Sequence, residues 1–154
     1  ATGTQVPACT TKISTLPLQQ LTHKMLKVMK NYTIKNLGPW SGIEGKQFLG
    51  EELQLTGAQI SVQKLKAGED APFLHSHKTH EEVYVILSGK GEYQVDGEVF
   101  PVQEGSVVRV SPAGVRALRN SGDTDMVMMC LQYEQHPISS FMEDANVSDA
   151  PVRW

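Results

Sequence analysis

Hydrophobic and polar positions along this chain change rhythm near residue 48. Beyond it, apolar residues recur at every second position in short runs closed by turn residues, the period of strands with one buried face. Ala58–Lys66 sets Ile60 and Val62 against Gln59, Ser61 and Gln63, and Glu81–Ser88 is rich in Val, Tyr and Ile until Gly89. Glu92–Val95 and Glu98–Val102 flank Asp96-Gly97, a pair suited to the positive φ that a two-residue hairpin demands. Ser106–Val110, Arg116–Asn120 and Asp125–Tyr133 each follow a cluster of Gly, Pro, Ser or Asp. About eight strands at spacings of about 8–12 residues predict an all-β sandwich or barrel rather than βαβ units.

Upstream the period differs. Leu18, Leu21, Met25 and Val28 fall at helical spacing behind Pro17, which predicts a short amphipathic helix in an N-terminal extension over residues 1–30. Met29-Lys30-Asn31-Tyr32 also reads as an ordinary bacterial start behind a chain that opens on Ala1, so residues 1–28 are equally readable as an addition outside the core domain. The domain is placed at 31–134 and a polar tail at 135–154, with Phe141 and Trp154 as isolated apolar anchors.

Composition narrows the class. With 154 residues the chain suits one domain, and 40% hydrophobic and 20% charged residues with 13 Gly and 8 Pro describe a turn-rich globule. Lys and Arg number 14 against 17 Asp and Glu, so no basic surplus argues for nucleic acid. The longest apolar runs, Val83–Leu87 and Met126–Leu131, are too short to cross a bilayer, and no membrane role is expected. Cys9 and Cys130 form no CxxC pair and suit a reducing, cytoplasmic setting. The Met126, Met128, Met129 and Cys130 stretch reads as core, and Lys64 and Lys66 read as a solvated strand face.

The chemistry concentrates between residues 73 and 84. In an extended segment His75 and His77 present both imidazoles to one side, and the carboxylate pair Glu81-Glu82 opens the next strand. Two imidazoles and one carboxylate on a single face of a metal leave other positions open to water or substrate. His80 and Tyr84 share the parity of Glu82, which makes them candidates for acid–base work, and His80 a candidate extra ligand. Tyr84 and Gln63 are candidate substrate contacts, with Gln132 weaker.

Gly68, then His75-x-His77-x4-Glu82-x6-Gly89, resembles the first motif of the cupin superfamily, and Gly105 through Pro112-x-Gly114 to Asn120 resembles part of the second. The resemblance spans about Glu52 to Gln132, and the phrasing Arg109-Val110-x-Pro112-x-Gly114-Val115-Arg116 resembles a group of small single-domain bacterial cupins. It implies a cupin-like jelly-roll β-barrel, a homodimer, and one divalent metal (Zn, Fe, Mn, Ni or Co) on His75, His77 and Glu82, with Glu82 chosen by its step to Gly89.

One departure stands out. Cupins usually supply a further His just after the Pro-x-Gly turn, where this chain carries Arg116 or Ala117 depending on the direction of counting. A three-ligand site, recruitment of His80, or a metal-free binding barrel would each follow. A guanidinium at 116 pointing to that place would clamp a small anion in two parallel bonds. The expected function is therefore a metal-binding cupin that acts on or binds a small anionic molecule; the alternatives are a non-catalytic sensor or carrier and a vestigial site. As an enzyme it would be a metal-dependent dioxygenase, isomerase or lyase.

Overall fold

Burying one face of so many short strands requires a second layer, and the alternating stretch folds as two antiparallel sheets facing each other. The computed structural model describes residues 26–136 and 145–152. Its elements are β1 (Leu26–Val28), β2 (Thr33–Lys35), β3 (Lys46–Phe48), α1 (Gly50–Leu53), β4 (Ala58–Leu65), β5 (His80–Ser88), β6 (Lys90–Val95), β7 (Glu98–Gln103), β8 (Val107–Val110), β9 (Arg116–Arg119) and β10 (Met126–Glu134). One sheet has the order β3-β4-β10-β5-β8 and the other β7-β6-β9. Such a double-sheet jelly roll is the cupin-like architecture expected from the motifs.

Strands β4 to β10 lie within a residue or two of their predicted limits. At the β6–β7 turn Asp96 has φ 51° and Gly97 φ 88°, the left-handed pair expected there. Val28, counted above to the helical period, is instead strand, because β1 pairs antiparallel with β2 and satisfies its backbone through that ladder. Residues 1–25 of the predicted helix and extension, together with Phe141 and Trp154, lie outside the described residues.

The main core sits between the sheets: Tyr84 and Ile86 from β5, Met126, Met128 and Cys130 from β10, with Tyr93, Val102 and Leu118 from the facing sheet. A second apolar cluster joins Val62 and Val127 on the outer face of the larger sheet to Ile43 and Leu49. The stretch around β3 and α1 thus covers that face. It also buries Lys64, contrary to the solvated reading. The ammonium donates to the Ser41 carbonyl at 2.9 Å and to Glu44 at 3.0 Å, so the paired head group lets the stem enter the core.

Gly91 marks the closest approach within the smaller sheet. A Cβ there would fall 2.2 Å from the Arg119 carbonyl oxygen and 2.9 Å from Met126 Sδ, so backbone must move to admit it. Gly91→Ala is expected to cost about 1–3 kcal/mol by overpacking, read as a lower urea midpoint. A midpoint equal to the parent's would refute the close-approach account.

Candidate metal centre

The two histidines are placed by backbone bonds to β9. Asp70 bridges Arg119 and His75 bridges Arg116, so residues 70–75 run as a broken edge strand along the smaller sheet. The His75 N–H donates to the Arg116 carbonyl (3.2 Å), the Arg116 N–H donates back (2.9 Å), and the His77 N–H donates to the Pro112 carbonyl (2.8 Å). Pro72 within this stretch has no N–H to contribute to a ladder, in keeping with an edge. Glu82 comes from β5 in the opposite sheet, its side chain turned inward.

There the three side chains meet. His75, His77 and Glu82 each offer a ligand atom, and all three atoms lie within 4.8 Å of one another. His77 Nε2 is 3.1 Å from Glu82 Oε1, and His75 Nε2 is 3.9 Å from Glu82 Oε2. His75 Nδ1 and His77 Nε2 are buried without an aligned hydrogen-bond partner. Buried nitrogens normally find partners, and His77 Nε2, turned toward the Glu82 carboxylate, has the placement of a metal ligand. Burial and the Arg116 charge push the His75 pKa down, which keeps its imidazole neutral, the form that ligates.

Glu82 divides its two oxygens between two tasks. Oε2 accepts from Tyr84 Oη at 2.6 Å, Arg116 Nη2 at 2.6 Å and Arg116 Nε at 3.0 Å. Oε1 faces His77, with Cys130 Sγ 3.5 Å away. Burial pushes the Glu82 carboxyl up, but the Tyr84 and Arg116 hydrogen bonds and the guanidinium charge outweigh it, and the pKa falls to about 2. Glu81 lies outside this cluster: it turns to the outer face, where Arg109 Nε donates to it at 2.7 Å.

A cupin protein from Bacteroides fragilis, known from its crystal structure, is 36% identical and superposes with a TM-score of 0.71, covering 78% of this chain and 99% of that one. This chain belongs to the cupin family. The cupin-domain profile matches residues 61–132. An oxalate-binding protein from Thermotoga maritima is 27% identical over 90 residues, 58% of this chain and 74% of that protein. An uncharacterised protein from Methanocaldococcus jannaschii is 35% identical over 60 residues, 39% of this chain, and the match spans only 48% of that relative.

The departure from the cupin pattern now has a place. Arg116, not Ala117, stands opposite His75 and points inward. The anion clamp proposed for it does not fit. Arg116 is 0% exposed, Nε and Nη2 are held by Glu82, and Nη1 donates to the Gly114 carbonyl at 2.9 Å and the Pro112 carbonyl at 3.4 Å. No solvent-borne anion reaches it. Tyr84 is likewise buried and bonded to Glu82, so it orients the carboxylate rather than touching a substrate. His80 lies beside the cluster and outside it, its ring 6.4 Å from that of His77. Gln63 is half-buried on β4 opposite Met128, two rungs away from Ser61 and Cys130 and on the same face. Cys130 and the orphan hydroxyl of Tyr93 complete the wall beneath Glu82; burial pushes the Cys130 thiol up to about 12, which leaves it inert as a nucleophile.

Two outcomes follow from the ion pair. Arg116→Ala strands a buried carboxylate and is expected to destabilise by about 3–5 kcal/mol, read by urea unfolding; a loss below about 1 kcal/mol would mean that the pair is not closed in solution. Because the folded Glu82 pKa lies below its ordinary value, its contribution is complete above about pH 5 and fades as pH falls toward 2. Between pH 6 and pH 2 the parent is expected to lose on the order of 3 kcal/mol more stability than Glu82→Gln. Parallel stability–pH curves would show that Glu82 titrates normally.

Proposed function

We propose that this cupin holds one divalent metal ion on His75, His77 and Glu82 and binds a small carboxylate anion there. The observation that carries the reading is that His75, His77 and Glu82 bring three ligand atoms within 4.8 Å of one another, with the buried Nε2 of His77 facing Oε1 of Glu82. Zn, Fe, Mn, Ni and Co all accept such a donor set. The charge count points to the anion. A ligating imidazole is neutral and the carboxylate is balanced by Arg116, so a divalent ion would keep its positive charge and favour an anionic ligand in its open positions. The oxalate-binding relative from Thermotoga maritima supports the same class of ligand.

A bound metal would supply Lewis acidity toward a substrate oxygen or a water. The chain's own residues do the positioning. Arg116 and Tyr84 fix the Glu82 carboxylate from behind through Oε2 and leave Oε1 toward His77 and the Cys130 thiol, and Tyr84, its phenol pKa pushed up by burial, keeps its proton. His80 is the group placed to carry a proton, since it stands at the edge of the centre and is only half-buried. Residues 31–134 are the working domain in this reading, and the homodimer and cytoplasmic location expected from the sequence belong to the same proposal. Among the described residues no helix is long and apolar enough to cross a membrane.

A second reading, a metal-free binding barrel, draws on the Arg116–Glu82 pair, which satisfies much of the carboxylate without a metal. Elemental analysis of untagged protein beside His75→Ala/His77→Ala, followed by calorimetry with oxalate, separates the two. The metal reading expects about one equivalent in the parent, none in the variant, and oxalate binding that a chelator abolishes. Oxalate bound equally well by chelated protein would select the metal-free barrel.

A further inference from the structure

The inward-facing residues continue past Glu82 toward one end of the larger sheet. Gln132 lies directly across from Glu82 on β10, and Gln59 lies across from Gln132 on β4. His80 precedes Glu82 by two positions and so shares its face. These side chains open into a cavity of about 350 Å³, whose lining includes Thr56, Gln59, His80, Gln132 and His136. Cross-strand neighbours on one face have their Cβ atoms only about 5 Å apart. The cavity therefore adjoins the metal centre.

Its polar groups are held in place. Gly50 donates its N–H to Gln59 Oε1 at 2.7 Å, and a Cβ at residue 50 would fall 2.5 Å from that oxygen, so only glycine admits this amide orientation. The Gln59 NH2 group keeps its own donors. Thr79 Oγ1 lies 3.3 Å from His80 Nδ1, and the Gln135 N–H donates to the Thr79 carbonyl at 3.0 Å, which ties the two rims together.

The charge of the lining selects a ligand. Among the described lining residues amides, imidazoles and the hydroxyl residues Thr56 and Tyr133 dominate, the one carboxylate is Glu134, and there is no Lys or Arg. A second anionic group would find no cation there, whereas hydroxyls would find donors and acceptors on several sides. We infer that this cleft is the subsite for the uncharged, hydroxyl-bearing part of a ligand whose carboxylate occupies the adjacent centre, which makes the ligand a polyhydroxy monocarboxylic acid. The inference rests on the function proposed above. The rings of His77 and His80 are 6.4 Å apart, a step that a chain of about four to six carbons spans at ordinary bond lengths.

Calorimetry on the metal-loaded full chain tests it, with D-gluconate, hexanoate and oxalate as probes against the parent, Gln132→Leu and Thr56→Val. Gluconate is expected to bind at least about tenfold tighter than hexanoate, since the two match in length and differ in hydroxyls. Gln132→Leu is expected to weaken gluconate about tenfold and oxalate less than about twofold. Thr56→Val, at the exposed rim, gives the same pattern more weakly and serves if Gln132→Leu fails to melt as a folded protein. Hexanoate binding as tightly as gluconate, or both acids weakened equally by these variants, overturns the subsite while metal uptake and oxalate binding stay intact. Loss of metal uptake in the parent overturns the function on which it rests, and the subsite with it.

Discussion

The ion pair between Glu82 and Arg116 joins the two sheets at the point where the chemistry lies. Glu82 belongs to the larger sheet, Arg116 to the smaller, and both are almost wholly removed from water. Taking two charges out of water is costly unless hydrogen bonds satisfy them, and here they do: the carboxylate also accepts from Tyr84, and the guanidinium also donates to the carbonyls of Gly114 and Pro112. Arg116 therefore holds the 112–114 turn as well as Glu82. His77 donates its backbone N–H to the same Pro112 carbonyl, and His75 exchanges two backbone bonds with Arg116 itself. The histidine segment, the turn and both sheets converge on one side chain.

That convergence changes the chemistry of the centre. A cation stands where cupins usually place another imidazole, so the site gives up a neutral donor and gains a fixed positive charge behind the carboxylate. The effect on a metal is mixed. The guanidinium orients Glu82 and leaves Oε1 facing the histidines, yet it repels a divalent ion and shares the only carboxylate in the cluster. In the proposed reading an anionic ligand relieves this imbalance, and the cleft beside it, with no Lys or Arg among its described lining residues, limits what the rest of that ligand can carry. The proposed function and the proposed subsite together describe a ligand with one charged end and one uncharged polar end.

Much of the fold was legible because burial on one face imposes a period of two. The limits of β4 to β10 and the Asp96-Gly97 turn follow from local alternation and turn chemistry. The short strands β1, β2 and β3 were not legible, since three residues carry too little pattern to separate strand from loop. The identity of the carboxylate was ambiguous between Glu81 and Glu82 by nearness alone; only the cupin spacing chose, and the outward pairing of Glu81 with Arg109 agrees. His136 gave no local signal of its place, because it reaches the cleft through the course of β10 rather than through any motif.

By itself the sequence determined the all-β class, the strand pattern and the presence of His75, His77 and Glu82 at ligand spacing, because each depends on residues a few positions apart. What only the tertiary structure decided are relations across the barrel. Counting from either end of the second motif left Arg116 and Ala117 equivalent, and the bridge from His75 to Arg116 distinguishes them. A guanidinium free to clamp an anion and one locked to Glu82 read identically in sequence, 34 positions apart. The difference is burial: at 0% exposure the charge of Arg116 must find its counter-ion inside the protein, and the fold provides it in Glu82.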